Sequence, residues 1–435
     1  MTASGQTWLY EKLNEYYDQK KSFRKAKDLR VLELTKVSYI GAMYDETRYA
    51  FTYEIVDIDN EDEILQKIYD FKPDVIITNE NTVRARKFFN HNNLLYININ
   101  DFSAHLYLAR DKSYPINEIV LYFQNEKIVN QIVSQSQSTN HMVLWDYVED
   151  ANFLDSDIEV SDVFDADILV AGSSNSSLSR TKRYLNGCMA TWMLGCDTAK
   201  NNFTKTIDLM MDELYHRMDA TGSLIDDENE YKAVFYEIAD KYKLNLDFMK
   251  EIPHEDIVYF FKYLHTSMVV PVFRFLVVKW ILERGYNAAL WGMAWKEEES
   301  TKKYYKGTIQ GREEMKQTYN KAKICLFTNP ELSIHFSVFE IIGSKSLCLA
   351  YENEKVCCSK PFSKYFEDGK SITLFHDREE LYQKLDYYLN NLGNRKQIIE
   401  QGNKIMTQNN ICRENELSRA VHQAVKQAEK NGMFQ

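Results

Sequence analysis

Short apolar runs of β-forming residues recur along the first 172 positions, and polar stretches with helical periodicity separate them. LRVLEL (29–34), Val75–Ile77 behind Pro73, LLYINI (94–99), EIVLYF (118–123), HMVLWDYV (141–148) and ADILVAG (166–172) share a length and a character. Runs that are apolar on both faces suit parallel strands covered by helices on each side. Between them, VDIDNEDEILQKIYDFKPDVIITNE (56–80) reads as helix then strand. The alternation predicts a βαβ rhythm and an open α/β sheet, preceded by a polar helical leader near the start of the chain.

From 201 to 284 the pattern changes to long helical periods with charged faces, as in DELYHRMD and DENEYKAVFYEIADKY. Strand–helix alternation resumes at YNAALWG (286–292) and runs on through AKICLFT (322–328), SLCLAYE (346–352) and SITLF (371–375), with helices expected over 311–322, 337–343 and 377–391. The expected architecture is α/β. A Rossmann-like acceptor-side lobe spans 1–200, a helical insert or bridge 201–284, and a second Rossmann-like lobe 285–412. A last helix within 413–435 packs back on the first lobe. A length of 435 residues suits two such domains.

Composition narrows the partners. Hydrophobic residues make up 44% and charged residues 27%, the balance of a folded globular chain. The net charge is −11 and no dense Lys/Arg block stands out, which argues against a nucleic acid held by counterion release. The seven cysteines (Cys188, Cys196, Cys325, Cys348, Cys357, Cys358 and Cys412) make no metal-ligand spacing and read as free thiols of a reducing compartment. MVVPVFRFLVVKWIL (268–282) is shorter than the roughly 20 residues a bilayer needs and holds Pro271, Arg274 and Lys279, so it reads as a buried helix. With no signal-peptide pattern at the N-terminus, a cytoplasmic protein without a membrane span is expected.

Candidate chemistry concentrates between Tyr286 and Glu352. One strand ends in Trp291-Gly292, a connection leads to Lys306-Gly307, another strand ends at Asn329, and Phe339-Glu340 opens into Gly343. In a doubly wound sheet these turns converge beyond the carboxyl ends of the strands. A helix beginning near Ser337 would aim backbone N–H groups and its positive dipole end at a phosphate there. No Asp-x-Asp metal motif is present, and Asp57 and Asp59 read as a solvated turn. Gly172–Ser177 (GSSNSS) reads either as a polar loop or as a backbone cradle for a phosphate or sugar.

This segment resembles the CgeB-like glycosyltransferases, named for a spore-maturation protein, and more widely the two-lobed GT-B fold. The resemblance is carried by Gly292-Met-Ala-Trp295, Gly307, the run Tyr319, Lys323, Ile324 and Leu326, the pair Phe339-Glu340, and YFEDGKSITLFHDREELYQKLDYYLNN followed by a terminal helix. It covers about 274–415 and is weak over the first lobe. It implies a metal-independent transferase that moves a sugar from a nucleotide donor, expected to be a UDP-sugar acting as co-substrate, to a protein or cell-surface glycan. It implies no further cofactor, and leaves room for a homo-oligomer. Glu340 would accept hydrogen bonds from the ribose diol. Asn329, His335 and Ser337 would face the donor, with Ser337 as N-cap or phosphate contact, and Gly292, Trp295 and Gly307 would line the crevice.

The sequence also departs from the family pattern. Ser337 stands where relatives carry an arginine, which removes a phosphate-facing cation. Lys345 stands where a glycine is usual, either restoring a cation or lying on a lengthened turn. Cys348 stands where many retaining relatives have a second glutamate. A base for the acceptor hydroxyl would come from the first lobe, with Asp101 and His105 as candidates and Asp45 behind them. Two other readings stand beside this one. The chain could bind a nucleotide sugar or glycan without transfer, or it could be a nucleotide-binding or response-regulator α/β protein, although it lacks a P-loop and a GxGxxG fingerprint.

Overall fold

The computed structural model describes residues 3–25, 28–35, 50–55, 60–78, 86–92, 94–100, 117–122, 141–143, 159–172, 177–192, 197–252, 257, 260–261, 264–330, 335–353, 362–409 and 413–433. The chain divides into two compact units. Met1–Asn152 with Asn410–Gln435 form the first, and Phe153–Asn409 the second.

Six parallel strands build the first unit: β1 (Arg30–Thr35), β2 (Ala50–Ile55), β3 (Val75–Thr78), β4 (Leu95–Asn100), β5 (Glu118–Tyr122) and β6 (His141–Val143), in the order β2-β1-β3-β4-β5-β6. The period of two along each strand sends alternate residues to opposite faces. Leu32, Leu34, Ile76 and Tyr96 meet Leu9, Leu13 and Tyr17 of helix α1 (Ala3–Gln19) and Ile64, Leu65 and Ile68 of α2 (Glu61–Phe71). Val31, Val75, Ile77, Leu95 and Ile97 form the opposite layer, where Val421, Ala424 and Ala428 of the last helix (Arg413–Lys430) cover them together with Met433. Each fully buried aliphatic side chain of this kind stabilises by about 1.5–3 kcal/mol. Helix α2 starts where Asn60 accepts from Glu63 N and stops at Lys72, left-handed at φ 52°, just before Pro73.

The second unit holds β7 (Ala166–Ala171), β8 (Ala288–Trp291), β9 (Tyr305–Gly307), β10 (Ala322–Phe327), β11 (Leu347–Tyr351) and β12 (Thr373–Phe375) in the order β12-β11-β10-β7-β8-β9, all parallel. Counted along the chain, three strands run outward from β7 on one side and three from β10 on the other. That is the doubly wound order, and its topological switch point lies between β7 and β10. The α/β class expected from the alternation is the one observed, with two Rossmann-like lobes.

Two boundaries are corrected. The sequence reading assigned 153–200 to the first lobe, but β7 pairs with β10 and β8, and the segment belongs to the second unit. Nor does the helical stretch 201–284 bridge two lobes. It lies in the β7-to-β8 crossover as α4 (Leu178–Trp192), α5 (Asp197–Thr221), α6 (Glu228–Lys241) and α7 (Val270–Glu283). Its Phe203, Met210, Leu214, Phe235, Phe273 and Leu276 share one hydrophobic core with Ile168, Leu290, Ile324 and Leu349 of the sheet. Helix α7 follows a π-helical turn over His265–Val269, carries Pro271 near its start where no backbone donor is needed, and is buried between layers. The remaining α-helices are α3 (Arg86–His91) in the first unit, α8 (Glu299–Lys302), α9 (Arg312–Asn320), α10 (Phe336–Gly343), α11 (Arg378–Asn390), α12 (Leu392–Asn409) and α13, the last helix already named. Among the described residues, no helix is long and apolar enough to cross a membrane.

Candidate functional site

Ligands of doubly wound sheets bind beyond the carboxyl ends of the strands at the switch point. On the β7 side, glycines continue the sheet past its strand ends. Gly172 N donates to Trp291 O, and Gly292 N donates to Gly307 O, each at 2.8 Å. Gly292 has φ 120°, and a Cβ there would lie 2.1 Å from Gly172 O. Both the backbone angle and the close approach therefore require glycine. Trp295 is 1% exposed and lies on Gly172, where a Cβ would meet its Nε1 at 2.5 Å. Among the described residues that indole N–H has no hydrogen-bond partner, a deficit of about 1–3 kcal/mol when a donor is buried unsatisfied. The structure thus brings Gly292, Trp295 and Gly307 together, and adds Gly172 to them.

Two helices begin at this edge. Helix α4 follows β7 through the Gly172–Ser177 stretch, of which 173–176 lie outside the described residues. The strand and helix on either side of it belong to the second unit rather than to the first lobe. Ser177 Oγ accepts from Arg180 N at 3.2 Å. Glu298 Oε1 in turn accepts from Ser177 Oγ (2.6 Å), Ser179 N (2.8 Å) and Ser179 Oγ (2.7 Å). Burial would raise this carboxyl, but those bonds, with the Arg183 charge, outweigh it and hold it below the usual carboxylate range. The start of α4 already holds an anion, and the anion is the protein's own.

Helix α10 follows β10. Its N-cap is His335, whose Nδ1 accepts from Ser337 N at 3.1 Å. The expected cap at Ser337 is corrected, because the helix begins one residue earlier and Ser337 gives its backbone N–H to the histidine. The imidazole stacks on Phe327 at 5.7 Å with 22° between the planes. Burial first, and then the positive charge of Arg274, push His335 down to about 3, so it is neutral near pH 7 with its proton on Nε2. Asn329 is half-buried two residues beyond β10. Glu340, on the fifth residue of α10, is 1% exposed, and its main-chain carbonyl accepts from Ser344 Oγ at 2.6 Å. A carboxylate that deep is costly unless well bonded, so its position is a specific one.

Lys345 is placed elsewhere. It sits past the far end of α10 in the left-handed conformation, φ 58°. The position favours glycine for its backbone angle, and a helix of eight residues, roughly 12 Å long, separates it from the crevice. Its expected role as a donor-facing cation is therefore corrected. Cys348 lies inside β11, 2% exposed, opposite Cys325 of β10, and both are free thiols. Just past β11, Glu352 Oε2 lies 3.3 Å from His376 Nε2, whose Nδ1 is 2.7 Å from Glu380 Oε2. Burial opposes protonation of His376, but Glu380 and Glu352 outweigh it and raise its pKa. Sequence reasoning did not find this histidine or Glu298, because neither stands in a recognisable spacing. Asp45, Asp101 and His105 lie outside the described residues. Among the described residues no group of three or more His, Cys, Asp or Glu side chains is arranged to hold a metal ion.

A family model described as glycosyl transferase-like matches residues 274–420. This span takes in most of α7, the strands from β8 to β12 and the whole of α10, and leaves out β7 and the start of α4. No curated protein matches the chain. Among solved structures it is similar to a glycosyltransferase from Rickettsia africae, at 11% identity over 93% of this chain and 99% of that one, with a TM-score of 0.43. It is also similar to Anabaena HepE in complex with UDP-glucose (10% identity, 93% and 100% covered, TM-score 0.43). A third likeness is to sucrose-phosphate synthase from Thermosynechococcus elongatus (8%, 92% and 100%, TM-score 0.45). At these scores they are likenesses alone, and nothing in the site's geometry rests on them.

Proposed function

We propose that the protein is a glycosyltransferase of the GT-B type that moves a sugar from a nucleotide donor, a UDP-sugar, to a protein or cell-surface glycan without a metal ion. The observation that carries this reading is coincidence. The glycosyl transferase-like match over 274–420 takes in the start of α10 and the glycine-held ends of β8 and β9, which border the switch point beside β7. Donor phosphates would lie on the backbone N–H groups of α10, whose dipole does part of what a divalent cation does elsewhere. His335 and Asn329 would border the phosphates, Trp295 and Gly292 would flank the sugar, and Glu340 would hold the ribose. At 1% exposure Glu340 meets a ribose only after its surroundings shift. Asp101 or His105 would take the proton of the acceptor hydroxyl.

Thermal-shift measurements with UDP-, GDP-, CMP- and dTDP-sugars test the donor, and release of nucleoside diphosphate in the presence of a chelator tests metal independence. We expect a shift with one donor, lost in Glu340→Ala. A shift that survives this substitution removes the role of Glu340, and the absence of any shift removes the donor reading. Binding without transfer is the second reading. The sites of Lys345, at the far end of α10, and Cys348, inside a strand, favour it, because neither brings charge to the crevice.

A further inference from the structure

The carboxyl ends of β11 and β12 carry a second arrangement, built around His376. The ladder between these strands runs one step past β11, where Glu352 N donates to Phe375 O at 3.0 Å. Glu352 and His376 are the next residues out, one beyond each strand, and Glu352 Oε2 lies 3.3 Å from His376 Nε2. On the other side of the ring, Glu380 Oε2 of α11 lies 2.7 Å from Nδ1 and also accepts from the main-chain N of His376 at 3.0 Å. Asp377 caps the same helix, its Oδ1 accepting from Glu380 N at 2.9 Å. Lys384 stands behind Glu380 at 3.4 Å and is shared with Asp368 at 2.6 Å, while Arg378 turns away and donates to Asp219 O at 2.8 Å.

An ionised carboxylate only accepts hydrogen bonds, and a neutral imidazole has a single N–H to give. Both contacts are therefore met at once only by the charged ring, on geometry alone. When the proton leaves, one ring nitrogen turns a lone pair toward a carboxylate. The bond at Nδ1 is the shorter, and its carboxylate is pinned by the His376 main chain, so the remaining proton stays there and the contact to Glu352 becomes repulsive. We propose that His376 is a proton-operated latch: charged, it ties the end of β11 to the start of α11 through Glu352 and Glu380, and neutral, it keeps Glu380 and releases Glu352. The latch is fully closed below 6.5, the ordinary value of the unfolded chain, and opens as pH rises through the higher value that Glu380 and Glu352 give the folded ring against the opposing effect of burial. Opening turns the Glu352 carboxylate loose at the carboxyl edge of the sheet, the side on which doubly wound sheets take ligands, so the charge and chain position there follow pH. The latch stands whether or not the donor reading does. In the sequence HDREE (376–380) reads as a helix start, and no spacing ties it to Glu352.

Nitrogen NMR of the full chain, isotope-labelled at its nine histidines and titrated across the neutral range, tests this, with His376→Gln identifying the signal by its loss. In the wild type we expect a midpoint above 6.5 and a neutral ring that carries its proton on Nδ1. In Glu352→Gln the midpoint should fall toward 6.5, because a glutamine amide can donate to the Nε2 lone pair of a neutral ring. The stability difference between wild type and Glu352→Gln, read by chemical denaturation, should be largest below 6.5 and shrink as pH rises through the wild-type midpoint. A wild-type midpoint at or below 6.5 overturns the latch, and so does a midpoint that Glu352→Gln leaves unmoved. A neutral ring protonated on Nε2 overturns it as well, since Glu352 would then be the arm retained. Should Glu352→Gln fail to fold, as read by circular dichroism, the wild-type midpoint and the position of the proton on the neutral ring decide by themselves.

Discussion

Helices α4 and α10 start on opposite sides of the same switch point, and both present unsatisfied backbone donors at the same edge of the second sheet. At α4 the donors are met by a carboxylate, Glu298, with Ser177 and Ser179 around it. At α10 a neutral imidazole, His335, takes one N–H. Topology supplies two anion seats of equal standing, and a single acidic side chain from the loop after β8 leaves only one of them for a ligand. A doubly wound sheet thus shows where ligands can go, and the caps show which of those places the protein already fills.

The largest effect that tests this contrast is expected at Glu298. Glu298→Gln should cost about 1–2 kcal/mol of stability, the usual size of a lost charged cap, read by chemical denaturation, with nucleoside diphosphate affinity unchanged. A rise in that affinity would mean that the emptied α4 seat competes for phosphate, and the contrast would fail. Next in size is a pH effect at His335. Its pKa is 6.5 when unperturbed and about 3 in the folded chain. Between those values the unfolded chain binds the extra proton, so stability from this group is complete above pH 6.5 and is lost as pH falls toward 3. His335→Asn keeps an acceptor at the cap and removes the titration. Its unfolding midpoint should therefore decline less than wild type over that window, and identical declines would show that His335 titrates normally. The smallest effect is expected at Lys345→Gly, a gain of about 0.5–1 kcal/mol from relieving a left-handed lysine, with donor affinity unaffected. A weakened donor affinity there would return Lys345 to the crevice.

Most strands were legible because parallel strands buried on both faces leave continuous apolar runs. Val75–Thr78 and Leu347–Tyr351 are buried at every position. The affiliation of β7 was not legible. Its partners Ala288 and Ala322 lie more than a hundred residues away, and nothing in ADILVA distinguishes one sheet from the other. Strand β9 has three residues, none of them fully buried, too few for a period to show. At the site, the glycines were readable because backbone strain leaves a residue-type signature, as at Gly292. The cap at α10 was not, since serine is the commoner N-cap and a histidine can take its place only when neutral. Glu298 acts on a helix distant in sequence, where spacing carries no message.

The first unit is closed by residues that come late in the chain. Val421, Ala424, Ala428 and Met433 cover one face of a sheet whose strands lie between Arg30 and Val143. During synthesis that sheet emerges first, yet its exposed face must wait while the whole second unit is translated before its cover arrives. The unit made first is finished last, and in the interval its apolar face is the surface a chaperone would have to guard.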